Sequence, residues 1–257
     1  MCFQDRLGIL LSTVDDGISR VKNSVLPQLG NCDVFISHQV TDDKYIIKDS
    51  FADNVRYMSQ KSLGLSKNRN NCLEQMRNDI NLLADDDLEY LPGFEEIVLS
   101  AFDNNKDADI ITFQIQGRER FKKQRKHNKF SIIKVSSVTI AFRKSSIEKV
   151  ALRFDEKFGI GAKYPIGEEN IFLKDALDAG LKLLADPAVI VRHSHQSSGD
   201  EFSDIQIKAK ACVLRRMFGP VLSVLFIIYF AFFKRAYHKS TTKYLRLSFK
   251  ALRSFCV

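Results

Sequence analysis

Cysteine is scarce in this chain of 257 residues, and the five that occur follow no regular spacing. They stand at positions 2, 32, 72, 212 and 256, which matches no zinc-ligand spacing. An odd number of cysteines also gives no complete disulfide framework. The sequence therefore argues against a zinc-finger or disulfide-stapled protein and favours a reducing compartment.

Acidic residues are missing from the end of the chain. Of 39 Lys and Arg, 11 lie from Gln206 onward, where no Asp or Glu occurs, so residues 1–205 hold 28 basic and 31 acidic residues. The net charge of +8 therefore comes entirely from the tail. A slightly acidic body argues against a protein that binds nucleic-acid phosphates.

No apolar run reaches the roughly 20 residues that a regular membrane-spanning helix needs. The run Pro220 to Phe233 has 14 residues, with Arg215-Arg216 before it and Lys234-Arg235 after it. This pattern predicts a shallow, interfacial or re-entrant insertion, with the cations on anionic headgroups. The segment Tyr244 to Phe255 alternates apolar and basic residues, which predicts a second, basic amphipathic helix. A core helix or an oligomer contact is the alternative for this tail.

Apolar strands alternate with helical segments through residues 1–205. The first strand, Ile9 to Val14, lies between Asp5 and Asp15, which is wrong for a signal peptide and indicates a cytosolic body. Further strands are predicted at 33–38, 55–58, 80–84, 108–115, within 132–143 and at 181–192, and helices at 67–77 (with Ser66 as its N-cap), 93–102 and 168–179. The alternation predicts an α/β fold whose mostly parallel sheet is covered by helices on both faces.

The strand ending at Ala84 runs directly into three carboxylates, Asp85, Asp86 and Asp87. Ligands of parallel sheets bind beyond the carboxyl ends of the strands, which is where this triplet is expected. Crowded anions are costly unless a cation or ligand meets them. Hard oxygen ligands favour Mg²⁺ or Mn²⁺, which complete their shells with substrate phosphates and water. A solvated acidic turn is the alternative for the triplet by itself.

Three other places carry candidate functional groups. Glu168 and Glu169 open a helix as a candidate general base, or simply balance the helix dipole. Arg69, judged on residue type alone, is equally consistent with a ligand contact and with an exposed helix cation. His193 and His195 follow the last strand, and an extended backbone allows only one of them to face a metal ion.

Four segments together resemble family 2 glycosyltransferases of the GT-A fold over roughly residues 7 to 200. They are Gly64 to Asn70, Leu83 to Asp87, Gly167 to Phe172 and, last, His193. The resemblance implies a nucleotide-diphosphate-sugar donor, a divalent cation, Mn²⁺ or Mg²⁺, and inversion at the anomeric carbon.

The resemblance assigns the acidic triplet to the metal and the donor. Asp87 and Asp85 correspond to the family's metal-holding Asp-x-Asp pair, and His193 is implied as a third metal or diphosphate contact. Asp86 is expected to face the ribose or the sugar of the donor.

The base and the nucleotide pocket are assigned in the same way. Glu169 occupies the position of the family's catalytic Asp, with Glu168 as the neighbouring alternative. Thr13 and Asp15 match the place where the family cradles the nucleotide base. Arg69 is expected to reach that base or the diphosphate.

The chain departs from family patterns in two ways. Ser37-His38-Gln39 stands where members usually carry an acidic pair, so the nucleotide base remains open. Tryptophan is absent, which excludes the Gln-x-x-Arg-Trp signature of processive synthases and implies one sugar per encounter. The glycine-rich loop Phe154 to Gly161 offers close backbone approach and aromatic rings, and we expect it to border the acceptor.

The sequence thus predicts a GT-A catalytic domain over residues 1–205, with a donor half (1–95) and an acceptor half (96–205), and a membrane-associated helical tail over 206–257. We expect an inverting, metal-dependent enzyme on the cytoplasmic face of the cell membrane that extends a lipid-linked glycan in surface-polysaccharide synthesis. The basic connection 117–129 either meets the acceptor diphosphate or is a solvated hairpin tip. The alternatives are a metal-dependent nucleotidyltransferase, in which the glutamates have no obvious task, and a noncatalytic protein that binds membrane or nucleic acid.

Overall fold

The computed structural model describes residues 6–48, 50–193, 203–233 and 240–255, so Asp5, His195 and Lys234-Arg235 lie outside the described part. The strands are β1 (Leu7–Val14), β2 (Asp33–Gln39), β3 (Val55–Gln60), β4 (Ile80–Asp85), β5 (Leu88–Tyr90), β6 (Ile110–Ile115), β7 (Arg125–Lys126), β8 (Ile140–Arg143) and β9 (Leu183–His193). The helices are α1 (Gly17–Arg20), α2 (Leu65–Glu74), α3 (Phe94–Asn104), α4 (Lys144–Lys149), α5 (Glu168–Asp178), α6 (Asp204–Phe233) and α7 (Thr241–Arg253).

All nine strands belong to one mixed sheet in the order β3-β2-β1-β4-β8-β6-β9-β5, with β7 added to β9. The first four of these run parallel, and so do β6 and β9. Strand β8 is antiparallel to both β4 and β6 and joins the two halves. The predicted α/β architecture with a mixed sheet is confirmed, and its parallel pairings lie mainly in the donor half.

Two hydrophobic clusters cover the two faces of the sheet, which explains the apolar run Ile9 to Leu11 of β1. Ile9 and Leu11 point into one cluster, with residues of α1 and α3. Leu10 points into the other, with residues of α2, α5, α6 and α7. Because alternate side chains of a strand face opposite sides, a strand buried on both faces needs an unbroken apolar run.

One local prediction was wrong, and another was met in part, since one of the one or two strands predicted within 132–143 is present. Helix α2 begins at Leu65, and its N-cap residue is Gly64, with φ of 121°, rather than the predicted Ser66. The Ser66 hydroxyl instead donates to the carbonyl of Phe158 at 2.6 Å. The segment 132–143 is mostly helical turns, Ser131–Lys134 and Ser137–Thr139, before the short strand β8.

Helix α6 bends sharply at Gly219, whose φ of 73° and ψ of −174° are essentially restricted to glycine, and Pro220 follows. Before the bend, Cys212 and Leu214 are buried in the same core as the sheet. A Cβ at Gly167 would lie only 2.7 Å from Val213, so α6 packs closely against the start of α5. The predicted domain boundary at 205 stays a prediction, and buried residues of α6 lie on both sides of the bend, with Ile227 and Ala231 beyond it.

Candidate active site

The carboxyl ends of the parallel strands bring the donor-side residues together. Ser12 pairs with Asp85 across β1 and β4, so Thr13 and Asp86 follow side by side. The Thr13 hydroxyl donates to Asp86 Oδ2 at 2.6 Å. Helix α2 passes close by, where the Asn68 amide donates to the Thr13 carbonyl at 3.0 Å.

Asp86 is held firmly in this corner. Arg20 Nη2 donates to its second oxygen at 3.0 Å. A Cβ at Gly17 would lie 2.0 Å from Asp86 Oδ2 and 2.4 Å from Thr13 Oγ1, so only glycine leaves room for the pair. The triplet is thereby tied to the turn after β1.

Asp15 adopts a left-handed conformation, with φ of 46°, at the mouth of the predicted nucleotide pocket. Its carboxylate accepts the backbone N–H of Thr41 at 2.7 Å and the Thr41 hydroxyl at 2.9 Å. His38 is fully buried beneath it and bridges the Asp15 carbonyl, 2.8 Å from Nε2, and the Tyr57 hydroxyl, 2.9 Å from Nδ1. Burial lowers the pKa of His38, so the ring is neutral and supports the loop.

Arg69 is a buried ionic bridge, with only 2% of its surface exposed. Its Nη2 donates to Asp85 at 2.9 Å and to the Ser137 hydroxyl at 2.8 Å, and its Nη1 donates to Glu168 at 2.7 Å. Burial opposes its charge, but the attraction of Asp85 and Glu168 outweighs that penalty and raises the pKa of Arg69. Arg69 therefore joins the acidic triplet to the glutamate pair, rather than lying exposed on its helix.

The two glutamates at the start of α5 have different surroundings. Glu168 is buried and bound by Arg69, whereas Glu169 is half-buried as a residue, with its carboxyl group enclosed by protein. Burial of the carboxyl group, followed by the charge of Glu168, raises the pKa of Glu169 to about 8. One glutamate is thus fixed by a cation, and the other has a proton affinity suited to accepting a proton near neutral pH.

The glycine-rich loop lies directly against these groups. A Cβ at Gly159, which has φ of 99°, would lie 3.0 Å from Ser66 Oγ and 3.3 Å from Glu168 Cδ. A Cβ at Gly161 would lie 3.2 Å from Gly64 Cα. The two glycines let the loop pack onto the start of α2 and the Glu168 side chain.

The last predicted metal contacts meet at the end of β9. His193 pairs with Leu88 of β5, so its backbone lies one residue from Asp87. Asp87 is partly buried. Within the described ranges no three His, Cys, Asp or Glu side chains form a ready metal cluster. An ion that takes much of its shell from donor phosphates and water needs few protein ligands, and Asp87 stays the predicted protein oxygen ligand.

Several residues of this site were not identified from the sequence. Ser137 binds Arg69, Asn68 binds the end of β1, and Gln39 exchanges two hydrogen bonds of 3.1 Å with the backbone of Gly64. A signal was present in α2, whose buried residues include Ser66, Asn68, Arg69 and Asn70. A helix that buries mostly polar side chains indicates a functional site, but a search for apolar periodicity does not detect such a helix.

Comparisons with known proteins agree with this geometry. The model of "Glycosyl transferase family 2" matches residues 18–166, which is more than half of the chain. No curated protein sequence matches the chain.

Among solved structures, S. aureus TarS is 15% identical, with a TM-score of 0.58 over 88% of this chain and 44% of that one, so this chain spans less than half of it. TarS 1-349 in complex with UDP-GlcNAc gives a TM-score of 0.60 at 12% identity, over 97% and 92% of the two chains. TarS 1-349 in complex with UDP gives 0.58 at 14% identity, over 89% and 73%. At these identities the likeness shows the fold, which is of the GT-A type. Through the family match, this chain belongs to glycosyltransferase family 2 and is a glycosyltransferase.

Proposed function

We propose that this enzyme moves one sugar, with inversion, from a nucleotide-diphosphate donor to a lipid-linked glycan acceptor at a membrane surface. The observation that carries the proposal is the Arg69 bridge, which connects the predicted donor carboxylate Asp85 to the predicted base helix through Glu168. The TarS structures with UDP and UDP-GlcNAc support a nucleotide-sugar donor. Family membership favours sugar transfer over nucleotidyl transfer and over a noncatalytic role.

The proposed base is Glu169. An inverting transfer needs one group to accept the proton of the attacking hydroxyl as the bond to the anomeric carbon forms. Glu169, with its pKa near 8, performs this task, while Glu168 stays bound to Arg69 and holds the helix in position. The glycine-rich loop next to Glu168 is the proposed border of the acceptor site.

The donor side is assigned to the ends of β1 and β4. Thr13 and Asp15 would border the nucleotide, and Asp86 would stay fixed by Thr13 and Arg20. Mn²⁺ or Mg²⁺, when bound, would neutralise the charge that develops on the departing diphosphate. Asp87 would hold this ion, with Asp85 oriented by Arg69 and His193 as the further proposed contact.

Removing Asp87 tests the donor and metal assignment. In the wild type, UDP-GlcNAc with Mn²⁺ at about 100 times its Kd should raise the Tm by roughly 5–10 °C, because a ligand that binds only the folded state stabilises it. Asp87→Ala should lose the Mn²⁺-dependent part of this shift and all sugar transfer. The matched control is Glu89→Ala, a nearby exposed acid paired with Arg192, which should keep both. A full Mn²⁺-dependent shift in Asp87→Ala would contradict the assignment.

The membrane contact is proposed for the part of α6 beyond its bend. Of the described helices, only α6 is long and apolar enough to cross a membrane by length and composition. The 14 residues after Gly219 extend only about 21 Å, which is shorter than the roughly 30 Å of a bilayer core. Its exposed face carries seven apolar side chains, Val221, Leu222, Leu225, Ile228, Tyr229, Phe232 and Phe233. A shallow insertion fits this face better than a span.

Two further features define the proposed membrane surface. The apolar side of α7 is covered, since Tyr244, Leu247 and Ala251 are buried. Helix α7 therefore supports α6 and presents its basic side chains to the membrane surface, rather than inserting into the membrane. Phe130, at the end of the basic connection 117–129, is half-exposed and stacks on Phe218 at 5.8 Å. The connection thus lies beside the apolar face, where its cations meet anionic headgroups.

Vesicle binding tests this surface. The wild type should stay bound to vesicles of phosphatidylcholine with one-fifth phosphatidylglycerol at 0.5 M salt, because apolar insertion is not screened. Leu225→Glu with Phe232→Glu, both at exposed positions, should bind only at low salt. Lys106→Gln with Lys149→Gln makes the same change in net charge at exposed sites elsewhere and should behave as the wild type. Salt-resistant binding by the glutamate variant would exclude this face as the contact.

A further inference from the structure

A cavity lies next to the segment that follows the glycine-rich loop, at Lys163 and Tyr164. Its volume is about 280 Å³, and it is formed where that segment, the first part of α6 and the end of α7 meet. Each of the three elements contributes one lysine to its wall, Lys163, Lys208 and Lys250. No acidic residue of the described chain lines this cavity.

The charge of this cavity is unbalanced. No described carboxylate forms an ion pair with any of the three lysines, whereas Lys243, two turns before Lys250 on α7, is paired with Asp204 at 2.7 Å. Like charges around one cavity repel, so an anion placed between them would lower the free energy of the folded state. A site of this kind favours a group with several negative oxygens, such as a phosphate or diphosphate.

The rest of the wall is mostly apolar. Tyr164 and the Cys212 side chain line it, and Phe255 packs on the Tyr164 ring at 5.5 Å. Ile205 is 63% exposed at its edge. A wall that combines lysines with apolar side chains fits an amphiphile rather than a free inorganic ion.

The cavity is linked by hydrogen bonds both to the loop beside the catalytic site and to the helix proposed to contact the membrane. On one side, the Gly159 N–H donates to the carbonyl of Tyr164, a residue of the cavity wall, at 2.9 Å, and Gly159 also packs against Glu168. The glycine-rich loop therefore connects the cavity wall to the Glu168 side chain. On the other side, the Thr241 hydroxyl donates to the carbonyl of the buried Ala231 at 3.3 Å, which ties α7, the helix that carries Lys250, to the part of α6 beyond its bend.

We infer that this cavity binds the phosphate or diphosphate headgroup of an amphiphile, with the hydrocarbon leaving past Ile205 toward the membrane. The inference rests on the proposed function, for which it supplies the place where a lipid-linked acceptor is anchored. A headgroup fits a volume of this size, while a whole glycolipid does not.

The test uses the full chain, saturated with UDP and Mn²⁺ so that the donor site is closed to other diphosphates. Farnesyl diphosphate, inorganic diphosphate and phosphatidylglycerol vesicles are titrated by calorimetry. The test variant is Lys163→Gln/Lys208→Gln/Lys250→Gln. The control is Lys106→Gln/Lys149→Gln/Lys182→Gln, which removes the same charge from exposed positions away from the cavity. The single variant Lys250→Gln, changed at one exposed position, is titrated with the same three probes and compared with the wild type.

The test variant should bind farnesyl diphosphate at least tenfold more weakly than the control, and inorganic diphosphate should bind more weakly than farnesyl diphosphate to the wild type. A loss confined to phosphatidylglycerol vesicles would identify the same site with a membrane headgroup as its source. Equal affinities of test and control variants for all three probes would overturn the inference. UDP stabilisation of every variant is measured in parallel, so a failure of the donor site, which would sink the proposed function, is seen separately.

Discussion

Glu169→Gln is expected to lower kcat by about 10²- to 10⁴-fold while UDP binding is retained, because the amide keeps the shape of the side chain but cannot accept a proton. The structure singles out Glu169 because Glu168 is already bound by Arg69 at 2.7 Å. Turnover, measured with saturating donor and acceptor, should show the loss. The Tm shift with UDP and Mn²⁺ should not change, because the donor contacts remain.

The pH dependence gives an independent measure of the same group. In the wild type, kcat/KM should rise with pH toward an apparent pKa near 8, the value to which burial and Glu168 raise the pKa of Glu169. The folded state holds this proton more tightly than the unfolded chain, whose carboxyl has a pKa of about 4.5. The free energy of unfolding should therefore fall as the pH rises from about 4.5 to 8, and Glu169→Gln should lack this fall.

Glu168→Gln is the matched control. It removes the ion pair with Arg69 but leaves Glu169 in place, so it should reduce stability and retain a measurable pH-dependent turnover. Normal turnover in Glu169→Gln, together with an inactive but folded Glu168→Gln, would move the base by one residue.

Arg69→Met is expected to destabilise the fold by about 3–5 kcal/mol, because breaking a buried ionic bridge leaves charged partners without compensation. Asp85, with 27% of its side chain exposed, and Glu168, with 8%, both lose their cation. Methionine has a comparable length and adds no cavity of its own. Urea unfolding at pH 8 measures the loss.

Arg153→Met gives the comparison for an exposed arginine. Arg153 pairs with Glu74 at 2.6 Å, but both side chains are about half exposed, so its loss should cost less than about 1 kcal/mol. Equal effects of the two substitutions would show that Arg69 does not hold the acidic triplet and the glutamate pair together.

The acidic triplet and the glutamate pair were found in the sequence because each stands at a recognisable boundary. Asp85 follows an unbroken apolar strand, and Glu168 follows a glycine at a helix start. These are local signals, carried by neighbouring residues. The strand order brings the acidic triplet and the glutamate pair close together in space. Local signals do not predict this order, since β8 enters the sheet between β4 and β6 from far along the chain.

The tail, residues 206–257, shows the same difference between what local sequence predicts and what the tertiary structure decides. Its composition gave the apolar run and the absence of acidic residues. The apolar run and the amphipathic segment both predict membrane contact, yet the apolar side of α7 is covered by the protein, whereas α6 beyond Gly219 has one buried side and one exposed apolar side. Periodicity identifies an apolar face but not its partner, because the partner belongs to another element.

The sequence by itself determined the α/β class, the family motifs, the candidate carboxylates and the charge asymmetry, since each depends on residues within one turn or one strand of each other. Only the tertiary structure decided that Arg69 is buried between Asp85 and Glu168, 16 and 99 positions away. It also placed three lysines from separate elements around one cavity. Such contacts join distant segments, and their energies depend on burial and distance, which no local pattern encodes.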